Sequence, residues 1–211
     1  MFEIEYKGAN TVVISSKKAK IVTDPKLSLA GLKDASVKNA IELSTESRFA
    51  LNSDESLLYI EGPGEYEVAD FAIHGVAAQR HIDTADSVKQ STVYRIEVGG
   101  VRIALLGNID ATLDDDQLES IGVVDMVILP VGGGGYTLDA TSAAQLMRRL
   151  DAKVAVPIHY AGTAPSYEVP QDTLDVFVKE FGGEVEKVAK YKIKSISALP
   201  LVPTVIELTR S

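Results

Sequence analysis

Apolar and polar residues alternate at the start of the chain, where Phe2, Ile4 and Tyr6 are separated by Glu3, Glu5 and Lys7. A period of two marks a strand with one buried face. Gly8-Ala9-Asn10 turns the chain into a second run over 11–15, and a third run over 19–23 stops at Asp24-Pro25. Proline cannot donate to a strand ladder, so the pattern predicts a meander with Asp24 at a strand tip. Further strands are predicted over 57–61, 65–68 and 71–77, with Gly62-Pro63-Gly64 as punctuation. Residues 94–98 and 101–105 alternate on either side of Gly99-Gly100 and read as a hairpin.

The rhythm then changes to strand followed by helix. Thr112 is expected to cap a short helix that has Asp114, Asp115 and Asp116 in its first turn and Gly122 at its end. The nearly continuous apolar run 125–131 predicts a buried strand, which Gly132-Gly133-Gly134-Gly135 follows. A helix over about 139–151 places Ala143, Leu146, Met147 and Leu150 on one stripe, and 153–159 reads as another buried strand. Pro170 is expected to open a last helix, with Leu174, Phe177, Val178 and Phe181 at helical spacing and Gly182-Gly183 closing it. Strands first, then alternating strand and helix, with no Pro-, Gly- or Ser-rich linker, predict one α/β domain over residues 1–211.

Composition narrows the chemistry. There are 21 Lys and Arg against 30 Asp and Glu, a net charge of −9. That disfavours a nucleic-acid partner, since phosphate neutralisation needs a basic stripe. Lys187, Lys190, Lys192 and Lys194 form the one local excess and read as a single solvated strand face. With no cysteine, disulfides, thiolate nucleophiles and Cys-based zinc sites are excluded. The amino terminus lacks the pattern of a signal peptide, and no apolar run reaches the roughly 20 residues of a spanning helix. The expectation is a cytoplasmic protein without a membrane partner.

Three histidines are present. His74 lies in an apolar strand and reads as a satisfied strand residue. His81 sits in the polar loop Gln79-Arg80-His81-Ile82-Asp83-Thr84-Ala85-Asp86, beside two acids, where it suits either a metal or solvent. His159 emerges at the carboxyl end of a buried strand, where α/β sheets place site residues. A catalytic zinc takes three protein ligands and an open position. His81 and His159 with Asp24, Asp83 or Asp110 supply that minimum and no more. No Gly-x-Ser-x-Gly elbow is present. Gly132, Gly133, Gly134 and Gly135 stand between strand and helix, so their N–H groups are candidates for holding an anion, or the glycines serve only a sharp turn.

Several segments together resemble the metallo-β-lactamase fold, in particular small Zn-dependent hydrolases related to the lactonases that act on phosphorylated ascorbate. They are Ile21-Val22-Thr23-Asp24-Pro25, Gly62-Pro63-Gly64-Glu65-Tyr66-Glu67-Val68, residues 101–108, Val131-Gly132-Gly133-Gly134-Gly135-Tyr136 and Val156-Pro157-Ile158-His159-Tyr160, in the family's order. The resemblance implies an αββα sandwich, two facing sheets with helices on both outer sides. It also implies zinc, yet the family's Thr-His-x-His-x-Asp-His string is here Ser44-Thr45-Glu46-Ser47-Arg48-Phe49-Ala50, so Thr45, Ser47, Phe49 and Ala50 stand where ligands belong. Asn108 stands where the family has its metal-bridging aspartate, while His81 and His159 keep ligand positions. Hydroxyls are much weaker zinc ligands than imidazole.

Two functions follow from the resemblance. The first is a family member without the zinc site, non-catalytic or with a binding role, taking a small anionic ligand and no resident cofactor. The second is a hydrolase of small anionic esters, lactones or phosphorylated sugars with a reduced or rebuilt site holding zinc or another divalent metal. There Arg48 would recognise the anion, Gly133 and Gly134 would hold a phosphate, and His159 would act as general base, with Asp24 and Glu46 beside them. Relatives with this fold often assemble, so a homo-oligomer is a third expectation.

Overall fold

The alternating segments over 2–15 and 94–105 pair as the pattern predicts, and in the first of them Phe2, Ile4 and Tyr6 are buried while Glu3, Glu5 and Lys7 are half-buried. In the computed structural model, which describes residues 1–83 and 88–211, the first half contributes β1 (Phe2–Gly8), β2 (Thr11–Ser15), β3 (Lys20–Thr23), β4 (Ile41–Ser44), β5 (Leu58–Glu61), β6 (Gly64–Val68), β7 (Phe71–Ala78), β8 (Ser91–Val98) and β9 (Val101–Leu105). The second half adds α1 (Asp115–Ile121), β10 (Met126–Pro130), α2 (Ala140–Arg149), β11 (Val154–Ile158), α3 (Leu174–Phe181), β12 (Glu184–Val188), β13 (Tyr191–Ile193) and β14 (Thr204–Leu208). One sheet has the order β13-β1-β2-β3-β4-β5, the other β12-β14-β11-β10-β9-β8-β7-β6.

The two sheets face each other across a core built by residues of alternating parity. Ile4, Ile14, Ile21 and Ile41 from the first sheet meet Ile73, Ile96, Ile103 and Ile128 from the second, all at most 2% exposed. The opposite parity of the central strands, Val127, Leu129 and Ala155, faces outward onto α1, α2 and α3 through Leu146, Met147 and Phe177. A strand buried on both faces must be apolar throughout, which explains the unbroken run at β10. The outer face of the six-stranded sheet carries a thinner layer: Val13 and Val22 are covered by Ala35, Val37 and Ala40 from an irregular segment that follows a 3-10 turn at Leu27–Ala30. Thus the expected two-sheet α/β sandwich is present, but the three α-helices of the described residues all lie over the eight-stranded sheet, and the other outer face, expected to carry helices too, has only this irregular cover.

Three local expectations are corrected, and one strand appears that the pattern does not predict. The first helix is capped by Asp114 and not Thr112; Asp114 accepts from Gln117 N while the Gln117 side chain accepts from Asp114 N, and that reciprocal box outcompetes a lone threonine. The last helix begins at Leu174 after Thr173, because residues 170–172 pair backward onto the glycine loop, with Asp172 N donating to Gly132 O at 2.6 Å. Strand β4, four fully buried residues, has no period of its own to announce it, and buried Glu42 within it accepts from the backbone N–H of Leu51 and Asn52. The lysines do not share one strand face. Lys187 lies on β12 of one sheet and Lys192 on β13 of the other, and all four are solvent-exposed. Among the described residues no helix is long and apolar enough to cross a membrane.

Candidate functional site

Strand polarity gathers the candidate residues at one edge of the sandwich. Strands β3, β4 and β5 run parallel, as do β9, β10, β11 and β14, so their carboxyl ends open on common ground. Asp24 follows β3, Thr45 and Glu46 follow β4, Asn108 follows β9, and His159 follows β11. Asn10 arrives from the β1–β2 turn. Asp24 and His159 are both held in the left-handed region, φ 42° and 50°, a costly conformation for residues other than glycine. Direct bonds stitch the sheets together here: Thr92 N donates to Thr45 O (2.9 Å), His159 N to Ala9 O (3.0 Å) and Tyr94 OH to Ser44 O (3.0 Å).

Two networks fill the edge. In the first, His159 Nδ1 lies 2.6 Å from Asn10 Oδ1, and Asn10 Nδ2 donates to Asn108 Oδ1 at 3.0 Å. Amide oxygen can only accept, so this direction puts the proton on Nδ1 of His159. The imidazole stacks on Tyr167, ring centroids 4.4 Å apart. Burial, and secondarily the positive charge of Arg48, push its pKa down to about 3, so it is neutral. Asp24, also buried, accepts from Thr45 N and Thr45 Oγ1, both at 2.7 Å. Burial raises its pKa to about 7 against the pull of those two bonds.

The second network is ionic. Arg48 Nε lies 2.8 Å from Glu46 Oε2, and a second guanidinium nitrogen donates to Glu46 Oε1 at 3.1 Å. The guanidinium sits over the Phe49 ring at 4.5 Å and the Tyr136 ring at 4.9 Å from their centroids, and bonds the Tyr136 hydroxyl. Burial pushes Glu46 up, opposed by Arg48. Arg80 stands 3.9 Å from Glu46 and grips Asp83, 2.7 Å at the closest. Beside these groups lies a cavity of about 130 Å³ whose wall includes Asn10, Asp24, Lys26, Arg48, Phe49 and His159.

The remaining sequence candidates are placed as follows. Ser47 points to solvent on a 3-10 turn, Ser47–Phe49, while Ala50 ends that turn. His81 joins the edge through its backbone, N donating to Asn108 O at 2.9 Å; its Nδ1 and Asn108 Nδ2 are buried without a hydrogen-bond partner among the described residues. Asp110 turns away to accept from Thr112 N, and His74 stands on β7 against Glu65 and Ser120. Asp86, read as an acid beside His81, lies outside the described residues. In the glycine loop Gly133, Gly134 and Gly135 all have φ near 70°, which lets the chain carry Tyr136 over Arg48. Gly133 N donates to Leu138 O, and the Asp139 carboxylate caps α2, so one N–H proposed for an anion is already engaged. Sequence reasoning missed Asn10, Lys26, Tyr167 and the role of Tyr136. Asn10 read only as a turn residue, and no local pattern distinguishes the other three.

Comparison with known proteins fixes the family. The beta-lactamase superfamily domain matches residues 3–159. The chain belongs to that superfamily. Metal-dependent hydrolases of Chloroflexus aurantiacus and Archaeoglobus fulgidus are 32% and 31% identical to it over 98 and 93 residues. Those matches cover 46% and 44% of this chain and only 40% and 39% of the relatives, so the chain spans about two fifths of the curated relatives it matches. A Thermotoga maritima structure of the metallo-beta-lactamase superfamily shares the fold with a TM-score of 0.79, 24% identity and 99% of both chains covered. A metallo hydrolase from Ignicoccus hospitalis superimposes with a TM-score of 0.60 at 15% identity, covering 86% of this chain and 90% of that one. Superfamily membership thus rests on sequence, and the two-sheet architecture agrees with it.

Proposed function

We propose that this chain is a superfamily member that works without a metal, as a binding protein for a small anionic molecule. The observation that carries the reading is the placement of Arg48. A half-buried cation, ion-paired to buried Glu46 and flanked by the Phe49 and Tyr136 rings, stands beside His159 and Asp24 at the edge where the resemblance puts zinc.

The donor set supports the same reading. Among the described residues no three His, Cys, Asp or Glu side chains come together as a group able to hold an ion. The Thr45 hydroxyl is engaged by Asp24, Phe49 offers a ring to a cation already present, and Asn108 turns its oxygen to Asn10 and presents a buried N–H, a donor that repels a cation, on its other side. A dinuclear centre needs ionised acids and several imidazoles, and these groups do not fit one. His159 adds to the case: a base whose conjugate acid has a pKa of about 3 is far from the operating pH that favours general-base catalysis.

Metal analysis of protein purified without chelator tests this directly. The expected result is only trace zinc, manganese, iron or nickel, with no hydrolysis of lactones or phosphodiesters above background in any added metal. Near-stoichiometric metal that disappears in His159→Ala would overturn the reading.

A further inference from the structure

Resting on that reading, we propose that the cavity beside Arg48 binds a small monocarboxylic acid with a ring-sized apolar body, its carboxylate held by Lys26 and the free N–H groups of Arg48.

Size sets the first limit. A cavity of about 130 Å³ is close to the roughly 150 Å³ that accommodates a benzene molecule, so one ring or a short branched chain fills it. Chemistry sets the second. Leu27, Ala30, Phe49 and Val169 give the cavity an apolar wall that a bare inorganic anion would leave unused. Charge sets the third. Lys26 is half-buried on the wall, and no ion pair or side-chain hydrogen bond engages its ammonium among the described residues. Arg48 gives N–H groups to Glu46 and Tyr136, but a guanidinium carries five, so some remain for a ligand. The acids around this space argue for a single negative charge on the ligand. Glu168 stands exposed on the wall, Glu46 neutralises Arg48, and Asp24 is hydrogen-bonded to Thr45, so a dianion would meet more repulsion than attraction. One carboxylate set against the uncompensated Lys26 ammonium and the remaining Arg48 N–H groups, with a hydrophobic remainder, is the composition that satisfies all three limits.

The test uses the full chain, treated with chelator and dialysed, with benzoate as probe, benzyl alcohol as its uncharged counterpart and inorganic phosphate as the bare anion. Ligand-observed NMR and calorimetry should show benzoate binding about tenfold or more tighter than benzyl alcohol, and phosphate weaker than benzoate. Lys26→Met should remove most of that preference while leaving the affinity for benzyl alcohol in place. Val169→Trp, which fills the cavity from its wall, should abolish binding of both organic probes. Equal affinity for benzoate and benzyl alcohol, tighter binding of phosphate, no benzoate binding, or a Lys26→Met protein that binds benzoate normally would each overturn the proposal. The two readings fail separately. Stoichiometric metal in protein never exposed to chelator sinks the metal-free reading whatever benzoate does, whereas a metal-free protein that ignores benzoate sinks only the ligand assignment.

Discussion

Asp24 and His159 share one edge yet respond to protons in opposite senses. The folded pKa of Asp24, about 7, lies above the roughly 3.9 of an unfolded aspartate. The folded chain therefore keeps a proton that the unfolded chain has lost, and stability from this group declines as pH rises from about 4 to about 7. His159, folded pKa about 3 against roughly 6.5 unfolded, is neutral in the fold where the unfolded chain is charged. Its contribution is complete above about pH 6.5 and is lost as pH falls toward 3. Between about pH 4 and 6.5 the two slopes oppose, each at most about 1.4 kcal/mol per pH unit. Urea denaturation across that window should show the compensation broken by single changes. Asp24→Asn leaves stability rising with pH, and His159→Asn, which tolerates the left-handed backbone and can still donate to Asn10, leaves it falling. Identical slopes in all three proteins would show that neither group is buried in the ionisation state described.

At the scale of elements, short pieces depend on individual end residues. Helix α1 has seven residues, too short to persist on propensity alone, and its start is fixed by the Asp114–Gln117 box. Gln117 also donates to Ala77 O on β7 at 2.7 Å, which ties the helix to the eight-stranded sheet. Asp114→Ala should cost about 1 kcal/mol in chemical denaturation and speed amide exchange within α1 before the central strands are affected. The loop after β9 is equally constrained: a Cβ on Gly107 would lie 2.6 Å from Thr45 Oγ1 and 2.7 Å from Thr45 Cβ. Gly107→Ala should therefore destabilise by about 1–3 kcal/mol and flatten the Asp24-dependent pH slope, since Thr45 cannot hold its place against the new methyl. An unchanged slope in that variant would separate Gly107 from the Asp24 network.

For the whole molecule, the eight-stranded sheet is common to both cores. Its inner face packs on the six-stranded sheet through Ile96 and Ile103, and its outer face on the helices through Leu129 and Val127. The two cores are thus separated by one layer of backbone and should melt together. Ile96→Ala in the inner core and Leu146→Ala in the outer should each cost about 2–5 kcal/mol and shift one transition seen alike by near- and far-UV circular dichroism. Separate transitions in either variant would mean two units.

Legibility follows from range. Most strands and all three helices were readable because period and turn chemistry are local, and the meander and hairpin paired as written. The start of α1 differs from expectation because the Asp114–Gln117 box outcompetes Thr112, that of α3 because residues 170–172 bond to the glycine loop, and β4 escapes because four wholly buried residues carry no alternation. Motif order by itself pointed to the superfamily that the comparison with known proteins establishes, and drew attention to the segment from Ser44 to Ala50. Only the tertiary structure decided the surroundings of that segment: that half-buried Arg48 lies against Glu46, Phe49 and Tyr136, that Asn10 joins His159 to Asn108, and that Lys26 borders a cavity. Those neighbours are up to 149 residues apart along the chain, brought together by strand polarity, and no pattern within one segment encodes a contact of that span.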